Sequence, residues 1–160
     1  MRYITVSELI YINGTLLHLP EIVTGKRHVR DIDLLQAAVM RPAASAFGMD
    51  AYPTLRDKTA ALLHSVARNH PFADGNKRTA AVAAVYMFAV NGERVIWAQP
   101  EAVETIVSVA EGQMAVADLA VWFPLEPQPP VLAPDAENDM RLIARIMDEQ
   151  RWLLDELEGR

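Results

Sequence analysis

The segment that most constrains the fold runs from Thr79 to Val90, twelve residues without a single charge. A helix that is apolar on every side is normally surrounded by protein rather than by water. The Asn91-Gly92 pair directly after it is typical of a helix C-terminus. Because 51% of the 160 residues are hydrophobic, the chain can enclose such a helix in one core. The sequence therefore predicts a mainly helical domain built around a buried central helix.

The residues directly before this helix combine groups that act on phosphate. They read HPFADGNKRTA, from His70 to Ala80. The His70 imidazole is a candidate general base for a Ser, Thr or Tyr hydroxyl. The simpler interpretation is a histidine with ordinary hydrogen bonds, but its neighbours favour catalysis. The Asp74 carboxylate is a candidate Mg²⁺ ligand, since Mg²⁺ often takes one or two carboxylates plus phosphate and water. Alternatively, Asp74 caps the next turn.

The four residues Gly75, Asn76, Lys77 and Arg78 form a candidate binding site for the phosphates of a cofactor. Glycine allows the backbone to approach a phosphate closely, and the asparagine either fixes the loop or donates its amide to a phosphate oxygen. Two cations in the first helical turn oppose the helix dipole, which points to a required anion. The alternative is a plain Gly-Asn turn followed by solvated cations.

The motif resembles the core motif of the Fic/Doc family, H-x-F-x-(D/E)-(G/A)-N-(G/K)-R, at every defined position. Met1–Val6, Tyr52–Leu55 and Val109–Gly112 resemble the death-on-curing (Doc) branch of that family. The resemblance implies an all-α Fic/Doc helical bundle with a small β-hairpin or flap. It also implies that ATP and Mg²⁺ bind over Gly75–Arg78, with His70 near the attacking oxygen. The stretch from 43 to 53 would then be the flap that holds the target segment.

Two positions bear on the reaction type. Lys77 follows the motif asparagine, and Ala81 stands where AMP-transferring members carry a second arginine. Both features resemble Doc-like toxins, which transfer a phosphoryl group to a Ser or Thr hydroxyl. This branch implies a translation elongation factor as target and a Phd-type antitoxin as partner. Gly75 favours the other branch, so AMP transfer is the alternative. A catalytically silent binding module is the third possibility.

Composition bears on the location of the chain and on its classes of partner. No apolar run approaches the ~20 residues that cross a bilayer. Glu8 and Asn13 interrupt the first apolar stretch, which argues against a signal peptide. The chain contains no cysteine, as expected for a cytoplasmic protein. The cationic patch at the motif is too short and too poor in aromatic residues to favour nucleic acid.

The sequence divides into a Fic/Doc domain (1–125), a Pro-rich linker (126–134) and a C-terminal amphipathic helix (135–160). Residues 126–160 hold nine acidic and four basic side chains, and so carry −5 of the net charge of −6. Three interpretations of this helix are open. It could pack on the domain or on a second copy, bind a separate partner, or cover the active site. The last option rests on a partial resemblance of Leu154–Gly159 to the inhibitory S/T-x-x-x-E-(G/N) helix of some Fic proteins.

Further elements are predicted from caps and periodicity. Helices are expected from Thr5 to Leu17, from Asp31 to Pro42, and from Leu55 to Asn69, and again from Pro100 to Glu111 and from Val116 to Trp122. Pro20–His28 is predicted to be a loop, and 43–53 a long loop or a short hairpin. Arg94–Trp97 is predicted to be a strand that pairs with Tyr3–Thr5.

Overall fold

The computed structural model describes residues 1–19 and 28–160, and helices predominate in them. The α-helices are α1 (Val6–Leu16), α2 (Ile32–Met40), α3 (Leu55–Asn69), α4 (Asn76–Val90), α5 (Glu101–Ala110), α6 (Val116–Trp122), α7 (Ala136–Glu149) and α8 (Arg151–Glu158). Two antiparallel pairs of short strands complete the fold: β1 (Ser45–Ala46) with β2 (Met49–Asp50), and β3 (Glu93–Val95) with β4 (Leu125–Pro127). The predicted all-α fold is confirmed.

Helix α4 is the buried centre of the bundle. Every residue from Thr79 to Val90 is buried, as the lack of charge predicts. Helices α1, α3, α5, α7 and α8 all pack against α4. At its C-terminal end, Phe88 meets Phe123 edge to face, with 4.8 Å between ring centroids. The helix starts three residues before the apolar run, so its first turn carries the motif residues Asn76, Lys77 and Arg78.

Capping boxes set the starts of helices α1 and α3. The Thr5 hydroxyl accepts from the Glu8 N–H at the start of α1, and the Glu8 carboxylate accepts from the Thr5 N–H. Thr54 and Asp57 form the same reciprocal pair at the start of α3. Both predicted starts are confirmed, and α3 ends at Asn69 as its pattern indicates.

The predicted pairing of the strand near Arg94 is wrong. Glu93–Val95 pairs with Leu125–Pro127, and Val95 lies opposite Leu125. The chain N-terminus, which precedes the predicted partner, bonds to the end of α4 instead. The Arg2 N–H donates to Asn91 Oδ1 at 2.7 Å, and the Asn91 amide donates back to the Arg2 carbonyl at 2.7 Å. These bonds attach the N-terminus to the end of α4 and leave β3 to pair with β4.

A hairpin occupies the 43–53 stretch, one of the two forms predicted for it. Phe47 and Gly48 form its tip, both with positive φ, and all four strand residues are exposed. The predicted Pro20–His28 loop lies outside the described residues, except for His28. No helix in the described ranges is long and apolar enough to cross a bilayer.

The C-terminal segment packs on the same chain, one of the interpretations its sequence allowed. The predicted single helix is divided at Gln150 into α7 and α8, which pack against α4 and α5. The Gln150 side chain accepts a hydrogen bond from the Trp97 indole N–H at 2.8 Å. Strand β4 covers the predicted boundary at 125/126, so the Pro-rich segment begins as part of a sheet.

A buried polar network attaches α7 to the core. The Arg2 guanidinium donates to Asp139 Oδ2 at 2.5 Å and to the Tyr86 hydroxyl at 2.8 Å. The Tyr86 hydroxyl donates to Glu8 Oε2 at 2.5 Å. Arg2 is only 8% exposed, and a buried charge is tolerated only with close partners. The network therefore links the N-terminus, α1, α4 and α7.

Candidate active site

His70 lies directly after the last residue of α3, where the chain leaves the helix. Proline disfavours a right-handed helical conformation in the residue before it, so Pro71 ends the helix here. His70 adopts the left-handed conformation, with φ 52° and ψ 60°, and its side chain is exposed. The Arg30 guanidinium donates to its carbonyl at 2.6 Å and to the Asn69 carbonyl at 2.9 Å.

The electrostatic surroundings favour the neutral form of the His70 imidazole. Partial burial lowers its pKa from the ordinary value, because burial penalises the charged ring. The positive charges of Lys77, Arg30 and Arg68 lower the same pKa further. A neutral imidazole can accept a proton, which is the state that a general base requires.

Phe72 and Asn76 anchor the loop between His70 and α4 to the core. Phe72 is buried and its ring stacks on His28, with 5.8 Å between centroids. The Asn76 side-chain oxygen Oδ1 accepts from the Phe72 N–H, and the Asn76 Nδ2 group donates to the Phe72 carbonyl, both at 2.9 Å. The Asn76 side chain is thus engaged within the loop. A cofactor contact at Asn76 stays a prediction, and its backbone N–H is the group that remains for it.

Asp74 is the exposed carboxylate of the loop. Its Oδ1 accepts from the Gly75 N–H at 2.7 Å, and its Oδ2 lies 3.9 Å from the Arg78 guanidinium. No group of three or more histidine or carboxylate side chains in the described residues is arranged to hold a metal. Asp74 therefore fits Mg²⁺ only as a single protein ligand, with phosphate and water supplying the others. Its role as a metal ligand stays a prediction.

Gly75 closes the loop against α1. It is the N-cap of α4 in the left-handed conformation, with φ 74°. A Cβ at this position would lie 3.3 Å from both Asn13 Nδ2 and Leu17 Cδ2, so the backbone approaches α1 closely. The Asn13 amide uses that proximity, donating to the Asp74 carbonyl at 2.9 Å and to the Thr79 hydroxyl at 3.0 Å.

The first turn of α4 has the properties of an anion site. No side chain among the described residues caps it, so its N–H groups retain their capacity to bind. A small cavity of about 80 Å³ lies at this turn. It is lined by Asp74, Gly75, Asn76, Lys77, Arg78, Leu157, Glu158 and Arg160. Five of the six predicted site residues therefore line one cavity, and His70 lies at the other end of the same loop.

The two cations of this turn differ in their surroundings. The Arg78 side chain is 11% exposed, and it lies 3.8 Å from the Glu158 carboxylate as well as 3.9 Å from that of Asp74. Lys77 is half-buried, and no carboxylate of the described residues lies within salt-bridge distance of its ammonium group. The end of α8 thus faces the anion site and brings a carboxylate of its own to it.

Comparison with known proteins agrees with this geometry. The Fic/DOC family model matches residues 3–88, more than half of the chain. The chain belongs to the Fic/DOC family. It is also similar to the Toxin Doc of Mycolicibacterium smegmatis, with 59% identity over 68 residues. The match covers 42% of this chain and 52% of the relative, so the chain spans about half the length of that curated protein.

Several residues that shape this Fic/DOC site were missed from the sequence. Asn13 and Arg30 bond to the backbone of the motif loop, and His28 stacks beneath it. In sequence, each of them lies at least 39 positions from the site residues that it contacts. No local spacing marks such residues, because the fold alone brings them to the loop.

Proposed function

We propose that this Fic/DOC protein transfers the γ-phosphoryl group of ATP to a Ser or Thr hydroxyl of a target protein, and that it inhibits growth as a toxin. The observation that carries the proposal is one juxtaposition. A histidine with a lowered pKa and an uncapped cationic helix N-terminus lie at the two ends of one loop, which is held by hydrogen bonds between Asn76 and Phe72. Similarity to a Toxin Doc supports the toxin role.

His70 is the general base of the proposed reaction. A ring nitrogen of its neutral imidazole accepts the proton of the target hydroxyl while the hydroxyl oxygen bonds to phosphorus. The bond between the γ-phosphorus and the bridging oxygen breaks, and ADP leaves. The proton stays on His70 until solvent removes it. General-base assistance of this kind accelerates a reaction by about a hundred- to ten-thousandfold.

The Gly75–Arg78 turn is the proposed binding site for the phosphates of ATP. The N–H groups of the first turn and the helix dipole favour an anion there. The carboxylates nearest the Arg78 guanidinium lie at 3.8–3.9 Å, longer than a direct hydrogen bond, so phosphate oxygens can replace them. Asp74 is the proposed Mg²⁺ ligand, and Mg²⁺ bound there would neutralise phosphate charge.

AMP transfer is the alternative, and Ala81 bears on it. This position is 1% exposed within the core around α4, so the helix offers no second guanidinium at that turn. Lys77 instead supplies the additional cation. Both features favour phosphoryl transfer, whereas Gly75 resembles the AMP-transferring branch. A neutralising Phd-type antitoxin and a translation elongation factor as target belong to the same proposal, through the likeness to Doc.

The test uses two labels of ATP. The protein is incubated with Mg²⁺, purified elongation factor Tu and ATP labelled at either the γ- or the α-phosphorus. Label incorporation into the factor is measured, and its intact mass is determined by mass spectrometry. We expect label from γ alone and the added mass of one phosphate. Label from α with the mass of AMP would replace the proposal with AMP transfer. No label on the factor or on any protein of a cell extract would indicate a silent binding module.

The end of α8 competes for the proposed phosphate site. Glu158 places a carboxylate at the cation that phosphate would contact, which is one of the interpretations of the tail. We expect Glu158→Gln to tighten Mg²⁺-ATP binding by about two- to fivefold, the range of a partly exposed ion pair. Calorimetric titration with ATP measures the change.

The matched control for this change is Glu156→Gln on the same helix. Glu156 lines a separate cavity with Gln99 and Val103 rather than the anion site. The control carries the same loss of charge, so it corrects for the general effect of the acidic tail. Equal affinities for the two variants would show that Glu158 does not compete with the nucleotide.

A further inference from the structure

The segment directly before α2 runs antiparallel to the motif loop and bonds to its backbone. Val29 forms a β-bridge with Phe72. The Ala73 N–H donates to the His28 carbonyl at 2.8 Å. The N–H groups of Arg30 and Asp31 both donate to the Pro71 carbonyl, at 2.8 and 3.1 Å. The loop that carries His70 is therefore held by a second strand-like segment rather than by its own turn alone.

The side chain of Arg30 extends this contact to the catalytic position. Its Nε donates to the His70 carbonyl at 2.6 Å and its Nη2 to the Asn69 carbonyl at 2.9 Å. The last carbonyls of a helix lack intrahelical partners, and a cation there also complements the helix dipole. Charged donors make the stronger hydrogen bonds, and the planar guanidinium can reach two acceptors at once.

His70 needs such support because its backbone is in an unfavourable conformation. The left-handed region is unfavourable for a non-glycine residue, because the Cβ atom crowds the following carbonyl oxygen. With φ at 52°, His70 keeps that conformation only if the surroundings hold it. Two constraints act at the peptide bond that follows His70: the Arg30 guanidinium holds the His70 carbonyl, and the Pro71 ring disfavours a right-handed helical turn.

We propose that Arg30 is a positioning residue, whose two-pronged contact with the Asn69 and His70 carbonyls holds His70 in the orientation needed for proton abstraction. The proposal rests on the proposed role of His70 as the base. Among the described contacts, the Arg30 side chain bonds to those two carbonyls and the Arg30 N–H bonds to the Pro71 carbonyl, so Arg30 contacts neither the proposed phosphate turn nor the Asp74 carboxylate. Its effect on the reaction is thus exerted through the backbone of His70.

Arg30 has a second effect, through its charge. The charged side chains around the imidazole are Arg68 from α3, Lys77 from α4 and Arg30 itself, while Asp74 is the exposed carboxylate of the loop. The three cations lower the pKa of His70. Removing the Arg30 charge therefore raises this pKa, and the acidic limit of activity moves to higher pH. A substitution that keeps the positive charge at position 30 leaves the acidic limit of activity unchanged.

Two variants separate positioning from charge. Arg30→Lys keeps the positive charge but cannot make both guanidinium hydrogen bonds. Arg30→Gln removes the charge. For Arg30→Lys we expect kcat to fall about ten- to a hundredfold with an unchanged KM for ATP and an unchanged pH limit. For Arg30→Gln we expect a similar loss, together with a rise in the pKa of His70, measured by NMR titration of the imidazole.

Arg56→Lys is the matched control, since the Arg56 guanidinium also donates to two carbonyls at a helix C-terminus, those of Ala120 and Phe123, and is not among the cations that lower the pKa of His70. It should keep wild-type kcat. The backbone chemical shifts of His70 provide a readout independent of activity, because they report whether the left-handed conformation persists. Wild-type kcat in Arg30→Lys would overturn the inference. If wild-type protein transfers nothing, the proposed function fails, while loss of the left-handed shifts in Arg30→Lys would still show that Arg30 holds His70.

Discussion

Replacing His70 with alanine is expected to lower the rate of phosphoryl transfer by about a hundred- to ten-thousandfold, the contribution of a general base. The fold should survive the change. The bonds from Arg30 go to the His70 carbonyl, which alanine keeps, and the imidazole is exposed. The melting temperature should therefore stay within a few degrees of the wild-type value. Label transfer from ATP and thermal denaturation measure the two quantities.

His18 provides an unusually close control for this experiment. It is also an exposed histidine after a helix, and it has the same left-handed backbone, with φ 55° against 52° at His70. Any stability cost of placing alanine in this conformation should thus be the same at both positions. His18→Ala should keep full activity. A fully active His70→Ala, or an equal loss of activity in His18→Ala, would contradict the assignment of the base.

Local features of the sequence determine the parts of this fold that could be predicted. The apolar run from Thr79 to Val90 permits only a buried helix, and the capping boxes at Thr5 and Thr54 give the starts of α1 and α3. The motif itself marks the site, because a histidine, a carboxylate and a cationic turn occur within nine residues. In each case the physical cause lies within one or two helical turns of the residues concerned.

The parts that could not be predicted depend on contacts between distant residues. The edge of β3 could have paired with any short extended segment; it pairs with Leu125–Pro127, while Arg2 bonds to Asn91. The approach of Glu158 to Arg78 was one of the alternatives that the sequence left open for the tail, and the sequence did not decide among them. Arg30 reaches the His70 carbonyl across 40 positions of sequence. Hydrophobic periodicity carries no information on polar pairs of this kind.

Asp139→Ala is expected to lower the free energy of unfolding by about 3 kcal/mol, the lower end of the cost of breaking a buried ion pair. The Arg2 and Asp139 side chains are only 8% and 11% exposed, and their shortest contact is 2.5 Å. Without Asp139, the buried guanidinium retains Glu8 at 3.4 Å and the Tyr86 hydroxyl. This partial compensation is the reason for choosing the lower end. Urea denaturation measures the change.

The control lies half a turn further along α7. The Arg141 and Glu137 side chains form an ion pair at 67% and 77% exposure, so Arg141→Ala should cost less than about 1 kcal/mol. Equal losses of unfolding free energy in the two variants would mean that the Arg2 network does not hold the tail.

If the expected difference is found, Asp139→Ala should also loosen α8 from the anion site, because α8 follows directly after α7. That variant should then bind ATP more tightly than Arg141→Ala does, which connects the stability of the tail to access to the phosphate-binding turn.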